Sequence, residues 1–282
     1  MSKTAIVLEG GGMRGAYTAG ALTWLIDNNI EFDAGYGIST GAVHLCNFLT
    51  KNKTNLHDFA VIHINNKDFI GFKAFLKSGR IVDYYSLFRD YLINTCHYDM
   101  SKYKDIKCKG MIGVYECEKG RTEFIPIQKL HLHELQASTT LPLIGKVVTM
   151  SEDRHIMDGG ITKMIPVEEA INDGIDKQLI IATKPLDYVR KPAKKIVVNI
   201  MKLVYPKWLS IAKDYEVRHL NYVKQINIIN DLVDSGKGLY ISPSQHSKVT
   251  RLGGTTEQLQ ELFDLGYSDM ENRKEEILNL LK

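Results

Sequence analysis

Short apolar runs and longer stretches of helical periodicity alternate along the chain. Thr4–Leu8 (TAIVL) is a β-branched run that halts at glycines, the pattern of a short buried strand. Gly10–Gly15 reads as a glycine-rich loop. Ala16–Asn29 then predicts a helix, with Leu22, Leu25 and Ile26 at helical spacing and Asn28-Asn29 at its end. Phe32–Ile38 predicts a second strand and Thr40–Leu49 a second helix. Residues 54–105, rich in Lys, Phe and Tyr, follow no single period. Gly110–Cys117 and Arg121–Ile127 are strand-like runs joined at Glu118-Lys119-Gly120, which predicts a hairpin. Leu130–Ser138 reads as a short helix halted before Pro142, and His155–Met157 as a short strand entering Asp158-Gly159-Gly160. Pro166–Asp173 reads as a helix with proline in its first turn, and Lys177–Thr183 as a buried strand. Residues 194–234 are mostly helical. Leu239–Ser242 reads as a last strand, and Thr255–Leu265 and Ser268–Leu281 as two closing helices. This alternation predicts the α/β class: a three-layer α/β/α arrangement on a mostly parallel central sheet. No Gly/Ser/Pro-rich linker interrupts it, so residues 1–282 read as one domain.

Composition narrows the function classes. The chain is 44% hydrophobic and 24% charged, which excludes disorder as the main state and suffices for a substantial core. The 36 basic and 33 acidic residues leave a charge of +3, too even for a nucleic-acid binder. No apolar run reaches the ~18 residues that span a bilayer, and MSKTAIVLEGGG lacks a signal-peptide layout, so a cytoplasmic location is expected. Cys46, Cys96, Cys108 and Cys117 form no CxxC and are expected to be reduced thiols. His131 and His133 would share a face only on a strand, and their stretch is helix-like, so no metal site is expected.

Three motifs carry chemistry. Gly37-Ile38-Ser39-Thr40-Gly41 is a GxSxG between an apolar strand and a small-residue helix. Gly37 and Gly41 permit a sharp turn that presents the Ser39 hydroxyl, and the helix N–H groups favour developing negative charge there. Gly10-Gly11-Gly12-Met13-Arg14-Gly15 also joins a strand to a helix. It fits the GxGxxG phosphate cradle, but the ribose carboxylate that cradle needs is missing: Glu31 and Asp33 stand at the start of the second strand. The competing reading is an oxyanion hole of backbone N–H groups with no side chains in the way, with Arg14 adding positive potential. Asp158-Gly159-Gly160 ends a short strand with a carboxylate and two glycines, which can approach another loop closely. An aspartate of ordinary pKa, about 3.9, is ionised at neutral pH and can take a serine proton.

Together GGGMRG, GISTG about 25 residues later and DGG after a long middle segment resemble the patatin-like phospholipases, a family of lipid acyl hydrolases. Ala137-Ser138-Thr139-Thr140-Leu141-Pro142 is similar to that family's Ala-Ser…Pro stretch, and TKPLDYVRKP and LYISPS are similar to a bacterial branch. The match spans roughly residues 4–183, which would form the catalytic core, with a helical C-terminal segment over about 184–282. The resemblance implies a Ser–Asp dyad, with Ser39 as nucleophile and Asp158 as general base, and Gly11, Gly12, Met13 and Arg14 in the oxyanion loop. Gly10, Gly15, Gly37, Gly41, Gly159 and Gly160 would support the turns. One departure is Met164, where the family often has Asn in DGGxxxNxP. The implied activity is hydrolysis of carboxyl esters of phospholipids or other acyl lipids without metal or organic cofactor. A non-catalytic lipid-binding protein and a dinucleotide-binding protein are the alternatives. Acyl lipid or ester is the expected partner, with no nucleic acid.

Two segments suit peripheral membrane contact. Residues 194–215 mix Lys194, Lys195, Lys202, Lys207 and Lys213 with Tyr205 and Trp208, and Phe69, Phe72 and Phe75 lie among Lys67, Lys73 and Lys77. A core-packing helix with solvated lysines competes with that reading.

Overall fold

In a computed structural model, which describes residues 2–64, 66, 68–94 and 98–282, an eight-stranded sheet runs through the centre. Its strands are β1 (Thr4–Leu8), β2 (Ala34–Ile38), β3 (Lys109–Glu116), β4 (Arg121–Pro126), β5 (Val148–Ser151), β6 (Arg154–Asp158), β7 (Lys177–Ile181) and β8 (Gly238–Ile241). The order is β5-β6-β3-β2-β1-β7-β8, with β4 paired to β3. The pairings along β3-β2-β1-β7-β8 are parallel, and β4, β5 and β6 add antiparallel ones.

Helices cover both faces. They are α1 (Gly15–Asp27), α2 (Thr40–Leu49), α3 (Lys53–His57), α4 (Phe72–Ser78), the single turn α5 (Tyr84–Ser86), α6 (Leu132–Thr139), α7 (Val167–Asn172), α8 (Lys195–Val204), α9 (Leu209–Asp234), α10 (Thr256–Asn272) and α11 (Lys274–Leu281). Alternation along β1 shows why Ala5, Ile6, Val7 and Leu8 are all apolar. Ile6 and Leu8 join a core with residues of α1, α2 and α10, while Ala5 and Val7 join another with residues of α7 and α9. With both faces covered, no polar position is left. This is the α/β/α arrangement expected from the pattern.

The differences from the sequence reading have local causes. Gly12–Arg14 is a 3-10 turn rather than open loop, so α1 starts at Gly15, and its end falls at Asp27 because Asn29 turns left-handed (φ 54). The helix read as Leu130–Ser138 starts at Leu132, where Glu134 reaches back to the His131 N–H, 2.9 Å, and caps it. That places His131 and His133 at a helix start, not on a strand. Strand β5 escaped notice because VTMS is half exposed at a sheet edge. The break between the last two helices lies at Arg273, not near residue 266. Gly266 is instead a contact point, where a Cβ would stand 2.1 Å from the Tyr17 carbonyl oxygen on α1. The aperiodic stretch contains π-helical segments, Asp58–His63 and Leu87–Ile93. Cys46, Cys108 and Cys117 are free thiols; Cys96 and Lys67 lie outside the described residues.

Candidate active site

The register of β3 brings the two halves of the site together. One edge of β3 pairs with β4 over Met111–Glu116. The other edge is shared: β2 occupies its first half, with Ile38 opposite Gly113, and β6 its second half, with Asp158 opposite Val114. β2 runs parallel to β3 and β6 antiparallel, so their C-terminal ends point at each other. Ser39 follows one end and Asp158 ends the other. The junction leaves no room for side chains. A Cβ at Gly159 would lie 2.7 Å from the Gly113 oxygen, and one at Gly37 would lie 2.7 Å from the Gly41 oxygen.

Ser39 has φ 57 and ψ −129, a region costly for any residue with a side chain. It is held there from both sides. Its N–H donates to Ser138 Oγ, 3.2 Å, which itself donates to the Gly113 carbonyl, 2.8 Å. Its carbonyl accepts from Ala42 N–H, 2.9 Å, opening α2. Ser138 stands in the Ala-Ser…Pro stretch, and its hydroxyl is the link between α6 and the turn. The Ser39 hydroxyl donates to Asp158 Oδ2 at 2.9 Å, with both residues buried. Asp158 Oδ1 accepts from the Gly160 N–H at 2.7 Å. Burial pushes the Asp158 carboxyl above its ordinary value, against the opposing pull of Arg218, the Gly160 N–H and Ser39. Neither downstream histidine enters this pair. His219 is half-buried on α9 and bonds the Glu216 carbonyl, and exposed His246 faces Asp187 at 3.2 Å.

The glycine loop lies beside Ser39. A Cβ at Gly10 would stand 2.9 Å from Ser39 Cβ, and one at Gly41 2.8 Å from the Leu8 oxygen. A Cβ at Gly11 would be 2.7 Å from Thr183 Cβ, and one at Gly15 2.8 Å from His44 Nε2. Gly12 has φ +62, and a Cβ there would stand 2.3 Å from the Arg251 oxygen. The N–H groups are not equivalent. Gly11 N–H donates to Thr40 Oγ1 (3.2 Å), Gly10 N–H to the Met164 oxygen (3.2 Å) and Met13 N–H to the Arg251 oxygen (3.0 Å). Gly12 N–H has no protein partner among the described residues. Arg14 points its Nε at the Val249 carbonyl, 3.3 Å. Below the loop, Glu9 is fully buried and paired with Lys184, and its Oε2 accepts from Thr183 N–H and Oγ1 at 2.7 and 2.9 Å. Burial pushes Lys184 down to about 8. Glu31 and Asp33 stand away from the loop. Asp33 ties the Thr4 N–H at the far end of β1, and Glu31 pairs with Lys51 at the surface.

Met164 is buried, and the loop around it is pinned from α9. Gln225 Oε1 accepts from the Met164 and Ile165 N–H groups at 3.2 and 3.1 Å. Arg218, one face-repeat earlier on α9, is only 8% exposed, and its Nε donates to the Gly160 oxygen. Arg218 and Arg251 line a small cavity together with Ser39, Asp158 and the glycine loop. Sequence reasoning missed both. A signal existed for Arg218: it falls on the inward stripe of α9 with Ile211, Tyr222, Gln225 and Ile229. On the other side of Ser39 lies an apolar cavity of about 40 Å³, walled by Phe59, Ile70, Val82, Leu87, Phe88 and Leu141 among others.

The two segments read as membrane-facing divide. Tyr205 is 4% exposed and its hydroxyl accepts from the Leu143 N–H, 2.8 Å; Trp208 lies against His155 and bonds Glu118. These aromatic side chains face the protein. On α8, Ile196, Ile200, Leu203 (81% exposed) and Val204 face outward while Val198 and Met201 are buried, and on α4 Phe72 is 75% exposed while Phe69 packs on the core. Lys73 pairs with Asp68, and Lys77 reaches Ser86. No helix among the described residues is long and apolar enough to cross a membrane, and no His/Cys/Asp/Glu cluster there could hold a metal.

The family model described as "Patatin-like phospholipase" matches residues 6–171, more than half of the chain. A second, "Domain of unknown function (DUF6363)", matches residues 209–282. The uncharacterized protein YjjU of Escherichia coli (strain K12) is 26% identical over 192 residues, 65% of this chain and 52% of that protein. The chain thus spans about half the length of the curated relative it matches. The crystal structure of VipD from Legionella pneumophila has a similar fold, with a TM-score of 0.53 at 13% identity, over 96% of this chain and 66% of that one.

Proposed function

The chain belongs to the patatin-like phospholipases, and from that premise we propose that it is a serine acyl hydrolase that cleaves carboxyl esters of acyl lipids through a Ser39–Asp158 dyad. The observation that carries this reading is the 2.9 Å bond from Ser39 Oγ to Asp158 Oδ2 at a strained strand-to-helix turn. Asp158 takes the hydroxyl proton as Ser39 Oγ attacks the ester carbonyl. The tetrahedral oxyanion is stabilised by the Gly12 N–H, the one N–H of residues 10–13 without a protein partner among the described residues. Collapse expels the alcohol or lysolipid, which leaves with the proton, and an acyl-serine remains. Asp158 then deprotonates water, which releases the fatty acid and restores the serine hydroxyl. The chemistry requires no metal or organic cofactor.

The apolar cavity beside Ser39 is the acyl side of the site. Its volume of about 40 Å³ is little more than one water's share of liquid. A fatty chain therefore enters by parting the walls, which come largely from residues 59–88 together with Met13, Leu141 and Leu252. The outward apolar residues of α4, flanked by Gly71 (φ +93) and Gly79 (φ +70), and of α8 form the membrane-contacting surface of a peripheral cytoplasmic enzyme. The pairing of β8, from the C-terminal segment, with β7 supports the proposal of a single domain. Hydrolysis of p-nitrophenyl esters of rising chain length, alongside phospholipid vesicles, tests the function. Turnover that rises with chain length supports it; absence of ester hydrolysis by folded protein on every substrate contradicts it.

A further inference from the structure

The cations around the glycine loop have no acids to match them. Arg218 and Arg251 line the cavity with Ser39. Arg251 and Arg190 stand close enough to Arg14 to weaken its protonation, and Lys184 belongs to the same set. Among the described residues, none of these four arginines has a carboxylate within ion-pair distance, although most other arginines and many lysines do. Glu9 pairs with Lys184, Asp187 faces His246, and Asp158 is the carboxylate that lines the cavity with Arg218 and Arg251.

What holds the cations is aromatic. Arg190 Cζ lies 4.8 Å from the Tyr222 ring centroid, Lys184 Nζ 5.3 Å from that of Tyr188, and Arg218 Cζ 5.4 Å from that of Tyr215. Ring faces position a guanidinium without neutralising it. Arg190 Nε is buried with no hydrogen-bond partner. The field is strong enough that Tyr215, which burial alone would push up, is held below its ordinary value by Arg218, Arg251 and Arg190. Like charges gathered in a low-dielectric pocket repel one another, and a bound anion relieves that repulsion.

We propose that Arg218 and Arg251, with Arg190 behind them on the Tyr222 ring, form an anion subsite that binds a phosphate group carried by the acyl substrate next to the scissile ester. The inference rests on the hydrolase reading for its placement beside Ser39, but the charge cluster stands without it. Arg218 and Arg251 belong to the segment matched at 209–282, and Arg190 to the connection before it, so all three lie outside residues 6–171, where the family match ends. The C-terminal segment thus supplies substrate selection to a reaction centre built by the N-terminal one. Arginine suits the task, because its planar fork meets two phosphate oxygens at once.

The test uses dihexanoyl phosphatidate and dihexanoylglycerol, both below the concentration at which they aggregate, so no lipid surface contributes. Inorganic phosphate is the third ligand and shows whether a free anion suffices. Calorimetry on the Ser39→Ala protein reads binding without turnover. Phosphatidate should bind at least about ten-fold more tightly than the neutral diester, as expected for one lost charge-assisted contact or more. Arg190→Gln and Arg251→Gln in that background should each erode the ratio, and Arg251→Lys should restore part of it. Equal binding of the two lipids, or a ratio that survives both glutamine changes in folded protein, overturns the subsite. Tight binding of inorganic phosphate that phosphatidate cannot displace overturns its assignment to the substrate. In the wild type the same ratio should appear in kcat/KM. Failure of hydrolysis with the binding ratio intact would overturn the hydrolase reading and leave the anion subsite standing.

Discussion

The two walls of the Ser39 cleft differ in origin and in physics. The apolar wall comes largely from residues 59–88, with Leu141 and Leu252, and closes on itself down to a cavity of about 40 Å³ that Arg251 also borders. The cationic wall comes from Arg218 and Arg251, with Arg190 nearby, and its guanidinium groups are held by ring faces and a backbone carbonyl rather than by carboxylates. Apolar surfaces lose nothing by touching when no ligand is present, so the first wall collapses. Guanidinium groups repel one another, so the second stays charged and oriented although its cavity measures only about 20 Å³. A substrate with an acyl chain and an anionic head would open one wall and relax the other, and Ser39 sits where they meet.

The largest effect comes from the group that both walls serve. Asp158→Asn should lower kcat by about 10²–10⁴, the usual worth of a general base, with near-UV circular dichroism unchanged. The double change His219→Asn, His246→Asn should retain most activity, since both histidines are bonded away from the Ser39–Asp158 pair. Loss of activity in the folded double variant would mean that the dyad is incomplete.

Next comes the loop at the foot of the cationic wall. Gly12→Val places a side chain where a Cβ already stands 2.3 Å from the Arg251 oxygen, at φ +62. It should displace the Gly12 N–H and reduce kcat by about 10²–10³ while changing KM less. A variant with wild-type kcat would remove Gly12 from the oxyanion hole.

The apolar wall should respond in chain length rather than in chemistry. Leu87→Ala is expected to cost about 2–5 kcal/mol of stability by denaturant unfolding. It should also shift the preferred acyl chain upward by giving the cavity room. An unchanged chain-length profile would place the acyl chain elsewhere.

The smallest effect is on pH dependence. Burial raises the Asp158 carboxyl, so the acid limb of kcat/KM should lie above the ordinary aspartate value, with no histidine limb near 6.5. Arg218 opposes that rise, and Arg218→Gln should move the limb to higher pH. The stability linkage has the same sign. A carboxyl raised in the folded state contributes fully below its unfolded value, and that contribution is lost as pH rises through the folded one. Asp158→Asn does not suffer this loss, so its Tm at pH 8 should equal or exceed that of the wild type.

Much of the fold was legible because its signals are local. The strand TAIVL, helix Thr40–Leu49 and the hairpin at Glu118–Gly120 each follow from a few adjacent residues. GGGMRG, GISTG and DGG are equally local, and the structure brings Ser39 and Asp158 to 2.9 Å. What joins them was not legible, because the sharing of one β3 edge by β2 and β6 is a matter of register between strands far apart in sequence. The cationic wall was hidden for a related reason. Arg190, Arg218 and Arg251 look like solvated charges until α9 and the 249–251 segment fold against the glycine loop. Tyr205 and Trp208 misled in the opposite direction, since their bonds to Leu143 and Glu118 leave no trace in composition.

The central claim is that Asp158 activates Ser39, and covalent labelling reads that step most directly. A fluorophosphonate probe, followed by peptide mapping with mass spectrometry, should give a single adduct on Ser39 in the wild type. Ser39→Ala should give none, and Asp158→Asn should label far more slowly at pH 7. An adduct on another residue, or labelling of Ser39 at the wild-type rate in folded Asp158→Asn protein, would contradict the account.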